Sequence, residues 1–429
     1  MTGIVAPGFP EEAVRARARN GAAEVFPAEA DYGRYAYGAT GSEPGDLLDE
    51  ARLVPPLFVP RRLEKLIELG REPTYTDVSL AVEIGGFHSA LPVYLSAFGS
   101  TQLGTLGVAA AAQAARLGIP MVIGENVVPV NGYGRGSDMD TVESALLTRV
   151  RTYLEHAEHD LGGVVVQQST EDADAEVWNL VYSDPSATVL RDSGRLAFEL
   201  KVGQGAKPGL GGMTMLAPGE AAALADRYEV GQQLEDGSVL RCATPGTFTE
   251  EILRQQIRLM RNNFPLARVW VKLPPARDVA FAARVCWAAG ADAVTIDGAE
   301  GGTGWAPTAF LDHVGLPLAE CLQRIDPHGH CLLATGRIWE GVRVAKALAL
   351  GATAVGLGRA ALLAVDEDPR AGLVRLVGAA AFELRLLVSA LGKYAVDELS
   401  TEDVWFPADG RANAGEQLMR DVPTRRWPA

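Results

Sequence analysis

Short apolar runs alternate with helical patterns from Leu91 onwards, and this alternation restricts the fold of the 429-residue chain more than any other feature. Such alternation is typical of βα units, in which successive strands lie parallel in one sheet. The candidate strands are Val93–Phe98, Met121–Gly124, Gly163–Gln167, Leu196–Val202, Val269–Leu273, Ala293–Ile296, Cys331–Ala334 and Ala354–Leu357. Because eight units close a (β/α)8 TIM barrel, we predict a barrel, with an open doubly wound sheet as the alternative.

We expect the rest of the chain to form segments that surround this barrel. We expect an N-terminal arm or helical extension over residues 1–90, a barrel over 91–395 and a C-terminal tail over 396–429. The segment between Gln204 and Thr247 is too long for an ordinary connection. It therefore predicts an elaborated loop after the fourth strand, above the end of the barrel where active sites of this fold lie.

Composition restricts the ligand and the compartment. The formal net charge of −15 argues against a nucleic acid or an anionic membrane as partner. No apolar run reaches the ~18 residues of a membrane span, and the first residues do not resemble a secretory signal. The four cysteines lack C-x-x-C spacing, which favours a reducing compartment. We expect a cytoplasmic protein that binds a small molecule and no metal.

The run LKVGQGAKPGLGG, Leu200–Gly212, combines two lysines with five glycines. Lys201 ends an apolar strand, while the glycines around Lys207 allow close backbone approach. Pro208 stiffens the turn. A glycine-rich loop with lysines is typical of an anion site, and the alternative is a loop whose glycines serve only tight packing.

Two further loops predict a phosphate site. Gly356 and Gly358 follow the last strand, with Arg359 beside them and a helix afterwards. Gly336 and Arg337 follow the seventh strand. Backbone N–H groups at a helix start and a nearby arginine suit a phosphate monoester, and barrels commonly place it after their last two strands. Each loop alone could be ordinary turn chemistry, but together they favour FMN.

Three stretches resemble the FMN-binding synthase domain of glutamate synthases. Leu200–Gly212 is similar to the family's KISQGAKPGEGG, Ile296–Leu318 to SGxDGGTGASPxxSxxHAGLPW, and Gly351–Leu362 to GAxxFGFGTxAL. The resemblance extends from about Leu91 to Leu362. It implies a TIM barrel with FMN as cofactor.

The same resemblance implies which residues contact FMN. The VWVKL strand is similar to the family's VSVKL, which implies Lys272 beside the flavin, with Lys201 as a competitor for this role. The AFGS turn after the first strand resembles the family's SYGS, and Gly124–Glu125 resembles GEGG, although Asn126 replaces a glycine. The predicted cofactor-binding residues are Ser96, Ala97, Phe98, Gly99, Ser100, Lys201, Gln204, Lys272, Gly302, Thr303, Gly336, Arg337, Gly356, Gly358 and Arg359.

The resemblance also implies a substrate site. Lys207 and Arg227 fall where the family binds the carboxylates of 2-oxoglutarate, and Thr249 falls near a family serine. Met213 stands where the family has a glutamine, which predicts a different or larger 2-oxo or amino acid. The predicted catalytic residues are Lys207, Lys272, Glu125 and Glu251.

The resemblance implies an FMN-dependent oxidoreductase that interconverts a 2-oxo acid, or its imine, and an amino acid. The family's iron–sulfur cysteines are absent after the phosphate loop, and we expect no glutaminase domain. An electron-donor or ammonia-supplying partner protein is therefore expected, as is a homo-oligomer. The alternatives are a flavin-dependent isomerase or lyase of the type II isopentenyl diphosphate isomerase kind, and an FMN-binding subunit of a multi-protein synthase.

Overall fold

Eight parallel strands form a closed barrel. A computed structural model of the chain describes residues 3–25, 46–98, 104–124, 139–158, 160–169, 177–211, 213–216, 229–233, 237, 239–242, 246–303 and 306–407. The barrel strands are β1 Val93–Phe98, β2 Met121–Ile123, β3 Val164–Ser169, β4 Leu196–Lys201, β5 Arg268–Leu273, β6 Ala293–Asp297, β7 Leu332–Thr335 and β8 Ala354–Leu357.

The predicted barrel is confirmed, and each of the eight candidate strands is one of its strands. Closure is shown by the pairing of β8 with β1, in which Val355 lies opposite Val93. An open doubly wound sheet would leave these two strands unpaired, so that alternative is wrong.

Helices cover the outside of the barrel, as the alternating pattern predicts. The described α-helices are Glu11–Asn20, Leu47–Glu50, Pro60–Leu69, Gly104–Arg116, Met139–His156, Val177–Ser183, Thr188–Asp192, Glu250–Asn263, Val279–Ala289, Thr308–His313, Leu318–Arg324, Gly341–Ala349, Arg359–Glu367 and Gly372–Ala390. Within the described ranges, no helix is both long and apolar enough to span a membrane.

The long connection after β4 carries an antiparallel sheet of its own. Its strands are Met213–Leu216, Glu229–Gln233 and Val239–Cys242, and the last of them lies in the middle. The elaborated loop predicted from the length of this segment is therefore present.

A short hairpin closes the lower end of the barrel. Its strands are Val82–Ile84 and Phe87–Ser89. Phe87 packs against Trp270 of β5 with ring centroids 5.5 Å apart, and the Trp270 indole donates a hydrogen bond of 3.1 Å to the carbonyl of Gly85. Because these aromatic side chains fill the lower barrel, the described residues leave the opposite end as the side from which a ligand would enter.

Residues before the barrel brace its last two βα units. The helix Glu11–Asn20 buries Val14 against Leu363 and Leu376. Arg343, which is fully buried, donates two hydrogen bonds of 2.9 and 2.7 Å to the carboxylate of Asp46. The segment predicted as an arm thus covers the barrel, while its boundary at residue 90 stays a prediction.

Candidate active site at the mouth of the barrel

Polar side chains fill the upper part of the barrel interior, at the carboxyl ends of the strands, which we call the mouth. Alternate residues of a strand face the same side of the sheet. Residues that lie an even number of positions beyond the buried apolar layer therefore also point into the barrel. Residues at these positions are Ser96, Gln167, Glu199, Lys201, Lys272, Thr295, Asp297 and Thr335. All of them except the partly buried Lys201 are buried. Ala97 lies in β1 next to Ser96 and is partly buried.

The two lysines predicted to compete for the flavin lie side by side. Lys272 in β5 pairs in register with Lys201 in β4. The Lys272 ammonium lies 3.1 Å from Oδ2 of Asp297, and both side chains are less than 10 % exposed. The Lys201 ammonium donates a hydrogen bond of 2.6 Å to Oε1 of Gln204. The structure therefore brings together three of the predicted residues and adds a carboxylate.

Asp297 joins three segments of the mouth through its carboxylate. Besides contacting Lys272, its Oδ2 accepts a hydrogen bond of 2.9 Å from the backbone N–H of Gly205. Its Oδ1 accepts one of 2.6 Å from the hydroxyl of Thr335 in β7. These donors satisfy a charge that would be costly to bury alone. Asp297 was not predicted from the sequence, although its place at the end of a strand could have indicated it.

A second buried acid lies one layer below. Glu199 accepts a hydrogen bond of 3.0 Å from the hydroxyl of Thr295 and another from the amide of Gln167. Burial raises the pKa of the Glu199 carboxyl, and the charge of Lys272 opposes that shift. These three residues were also missed. Polar residues at every second position of apolar strands are the signal that could have found them.

The glycine-rich loop, residues 202–211, begins directly after Lys201. Lys207 starts a turn in which the N–H of Leu210 donates a hydrogen bond of 3.2 Å to the Lys207 carbonyl. Pro208 and Gly209 occupy the centre of this turn, and Gly209 has a φ of 81°, a conformation that glycine adopts readily. The turn buries Lys207 to 8 % exposure. A buried lysine beside the mouth suits an anionic ligand.

The loop docks against the second motif, residues 296–318. A Cβ added to Gly205 would lie 1.9 Å from the carbonyl oxygen of Gly298, so only glycine permits this approach. The amide of Gln204 donates a hydrogen bond of 2.9 Å to the hydroxyl of Thr303. Two stretches that are about 90 residues apart in the chain therefore form one wall of the mouth.

The start of the helix Arg359–Glu367 has the features of an oxyanion site. A Cβ added to Gly358, the residue before the helix, would meet no atom within 4 Å. Arg337 has a φ of 53°, which is rare for a residue other than glycine, and its buried Nε has no hydrogen-bond partner. An open helix start and a buried donor without an acceptor fit a bound phosphate group.

Arg359 packs beside this site. Its guanidinium donates a hydrogen bond to the carbonyl of Glu300 and lies 4.7 Å above the centre of the Phe9 ring. Burial lowers the pKa of Arg359, and the charge of Arg337 adds to that effect. The repulsion between these two cations would be relieved by an anion between them.

Three other predicted glycines have close neighbours or unusual backbone. A Cβ at Gly302 would lie 3.0 Å from Cγ of Arg359, and a Cβ at Gly356 would lie 2.5 Å from Cγ2 of Thr335. Gly336 has a φ of 138°. These positions keep the backbone of the last two loops close to the mouth.

Two predicted residues lie at a helix surface. Thr249 caps the helix Glu250–Asn263 by accepting a hydrogen bond of 3.2 Å from the N–H of Ile252. Glu251 is exposed and accepts one of 2.7 Å from the side chain of Gln255. These contacts tie both residues to the helix and not to Lys201 or Lys272. Their substrate and catalytic roles stay predictions.

Several predictions fall on parts of the chain without described side chains. Gly99, Ser100, Glu125 and Arg227 lie outside the described residues. Phe98 and Met213 are described only as the last residue of β1 and the first residue of the strand Met213–Leu216. In the described part of the chain, no group of three or more histidine, cysteine or acidic residues could hold a metal ion.

The buried carboxyl of Glu300 predicts a pH-dependent contribution to the stability of the fold. The pKa of its carboxyl is raised from 4.5 to about 7, first by burial and then by the charge of Asp46. Because the folded protein disfavours the ionised form, this group stabilises the fold below its unfolded pKa and loses that contribution as the pH rises towards 7. The free energy of unfolding of Glu300→Gln, taken relative to that of the unchanged protein, should therefore rise by roughly 2 kcal/mol from about pH 4 to about pH 8. Urea unfolding at both pH values measures this, with the exposed Glu251→Gln as control; equal shifts in both variants would contradict it.

The part of the chain that contains the glycine-rich loop and the last five barrel strands is similar to known proteins. A family model described as a conserved region in glutamate synthase matches residues 186–367. The glutamate synthase large subunit-like protein of Rhizobium meliloti (strain 1021) is 38 % identical over 188 residues, which cover 40 % of each chain. The archaeal glutamate synthase [NADPH] of Methanocaldococcus jannaschii is 34 % identical over 180 residues, covering 39 % of this chain and 34 % of the relative. The matched part is thus two fifths or less of these relatives' length.

Solved structures with the same fold include (S)-mandelate dehydrogenase from Pseudomonas putida, as a soluble mutant of a membrane-associated protein. Its TM-score is 0.55 at 19 % identity, over 93 % of this chain and 99 % of that chain. A mutant flavocytochrome b2 with pyruvate bound has a TM-score of 0.52 at 17 % identity, over 89 % of this chain and 84 % of that chain. At such identities the likeness supports the barrel fold alone. Residues 186–367 are therefore similar to the conserved region of glutamate synthases, and this chain carries them on a (β/α)8 barrel.

Proposed function

We propose that this protein is an FMN-dependent oxidoreductase that interconverts a 2-oxo acid, or its imine, and an amino acid. The observation that carries the proposal is the meeting of Lys272, Lys201 and Gln204 in one buried polar mouth. The open helix start after Gly358 follows β8 of the same barrel. Relatives named as glutamate synthases support the amino-acid chemistry.

The residues at the two ends of this site fit the two ends of FMN. Gly358 and Arg337 would hold the phosphate, through the N–H groups of the helix start and the Arg337 Nε, which has no hydrogen-bond partner. Lys272, Lys201 and Gln204 would contact the ring system, since their donors lie at the mouth. When bound, FMN would supply two-electron transfer to or from the substrate carbon.

The protein's own contribution is to bind and orient the substrate. Lys207 is a buried cation in the glycine-rich loop and would pair with a substrate carboxylate. The docked loop would keep that carboxylate at a constant distance from Lys272, because Gly205 is fixed to Asp297. The same loop would also exclude water from one side of the mouth, which strengthens charge pairing inside it.

The electrons and the nitrogen for this reaction would come from a molecule other than this protein. The relative from Methanocaldococcus jannaschii is named as an NADPH enzyme, and the matched region covers only 34–40 % of the length of the two relatives described above. A separate reductant or a partner protein is therefore part of the proposal, as is a small 2-oxo or amino acid as substrate.

The test starts with the purified chain. We expect it to bind about one FMN without iron or acid-labile sulfide, as measured by absorbance and metal analysis. Anaerobic addition of a panel of amino acids and 2-oxo acids should then change the flavin spectrum for one of them. Failure to take up added FMN would reject the proposal, as would stoichiometric iron. If FMN stays unchanged in redox state through turnover, an isomerase or lyase would be indicated instead.

Lys207→Ala should weaken the binding of carboxylate ligands while FMN stays bound. The expected loss is roughly 2–4 kcal/mol if the pair is desolvated. Titration of the flavin spectrum with each ligand measures it. Lys65→Ala, which removes a lysine paired with Glu68 on a distant helix, is the control and should leave ligand affinity unchanged. Equal affinities in both variants would make the loop purely structural.

A further inference from the structure

We propose that Asp297 is a positioning residue that holds Lys272 and the glycine-rich loop as one unit. Its carboxylate is contacted by the Lys272 ammonium at 3.1 Å and by the Gly205 N–H at 2.9 Å. Both contacts use the same oxygen atom, Oδ2. A movement of the Lys272 ammonium would therefore shift the oxygen that anchors the Gly205 N–H. A movement of the loop would in turn shift the oxygen that contacts Lys272.

The third contact sets the direction of this carboxylate. The Thr335 hydroxyl donates a hydrogen bond of 2.6 Å to Oδ1, which directs Oδ2 towards Lys272 and Gly205. Asp297 ends β6, between the strands that carry Lys272 and Thr335. Its side chain is only 6 % exposed, so water cannot easily replace these donors.

The anchored amide determines where the next residues of the loop lie. Gln204, directly before Gly205, contacts both Lys201 and Thr303. Lys207 follows Gly205 by two residues and is itself buried. Because Gly205 also packs closely against Gly298, the loop has little freedom to move once its N–H is held.

Stability alone does not account for this arrangement. A buried ion pair is often no more stabilising than well-packed apolar side chains, because desolvation offsets the attraction. Asp297 also fixes the relative positions of two cations, Lys272 in β5 and Lys207 in the loop. The positioning role depends only on these contacts, whereas its effect on FMN and substrate rests on the proposed function.

The experiment uses the full chain without flavin and compares Asp297→Asn with Asp292→Asn. Asp292 is a matched control just before the same strand, where it accepts hydrogen bonds of 2.8 Å from the Val269 N–H and 3.0 Å from Arg261. Hydrogen exchange is measured on peptides that cover residues 203–210. Acetylation of Lys272 by acetic anhydride at constant pH is measured by mass spectrometry.

We expect Asp297→Asn to increase both exchange in the loop and acetylation of Lys272 by about tenfold, because a neutral amide binds both donors more weakly. Asp292→Asn should leave loop exchange and Lys272 acetylation within about twofold of the unchanged protein, even if it lowers overall stability. Equal behaviour of the two variants would overturn the proposal. Since no flavin is present, this outcome is independent of whether the protein binds FMN.

A second variant covers the case in which Asp297→Asn does not fold. Thr335→Val removes the hydroxyl that orients Oδ1 and keeps the charge of Asp297. We expect loop exchange to rise by about threefold and acetylation of Lys272 to rise less, because one neutral hydrogen bond is lost. An unchanged exchange rate in a folded Thr335→Val protein would also count against the proposal.

Discussion

Replacing Gly205 by alanine is expected to lower the free energy of unfolding by about 3 kcal/mol or more and to open the mouth. The added Cβ would lie 1.9 Å from the Gly298 carbonyl oxygen, and the nearby backbone of Gly301 leaves it no other space. Relief requires the glycine-rich loop to move, which breaks the hydrogen bond from the Gly205 N–H to Asp297. Overpacking and a lost charge-assisted hydrogen bond both contribute to the expected loss.

Urea unfolding measures this loss, and hydrogen exchange shows whether the loop has moved. Gly378→Ala is the matched control, because Gly378 lies in the helix Gly372–Ala390 and a Cβ there would meet nothing within 4 Å. That variant should gain about 0.5–1 kcal/mol, since alanine favours a helix more than glycine does. A Gly205→Ala protein as stable as the unchanged protein would show that the two loops are not docked as described.

Gly358→Asp is expected to weaken FMN binding by a hundredfold or more while the protein remains folded. A carboxylate at the start of the helix Arg359–Glu367 would repel a phosphate group, and like charges in contact cost several kcal/mol. The same carboxylate can accept hydrogen bonds from the helix N–H groups, which stabilises the helix by about a few tenths of a kcal/mol relative to glycine. Affinity and stability should therefore change in opposite directions.

Gly358→Asn separates charge from size. Asparagine has the shape of aspartate and also caps helices well, but it carries no charge. We expect its FMN affinity to exceed that of Gly358→Asp by at least about tenfold, measured by fluorescence titration of the apoprotein. Thermal unfolding of both variants checks that they are folded. If the two variants bind FMN equally, the phosphate does not lie at this helix start.

The sequence by itself determined the barrel and the loops that carry its chemistry. Each strand is a local apolar run, and the period of two within a strand and the βα alternation are visible without knowledge of contacts. The glycines around Lys207 and after β8 likewise mark their own backbone requirements. The helix-capping contact of Thr249 was not predicted from the sequence, and its substrate role stays a prediction.

Only the tertiary structure decided which of these loops meet and which acids lie between them. The bond from Gly205 to Asp297 joins residues 92 positions apart, and no local pattern indicates which strand end will hold that acceptor. The hydrogen bond from Trp270 to Gly85 and the buried pair of Arg343 with Asp46 join residues that are still farther apart in the chain. The contacts at the mouth follow from closure of the barrel, because closure brings separate strand ends to one mouth.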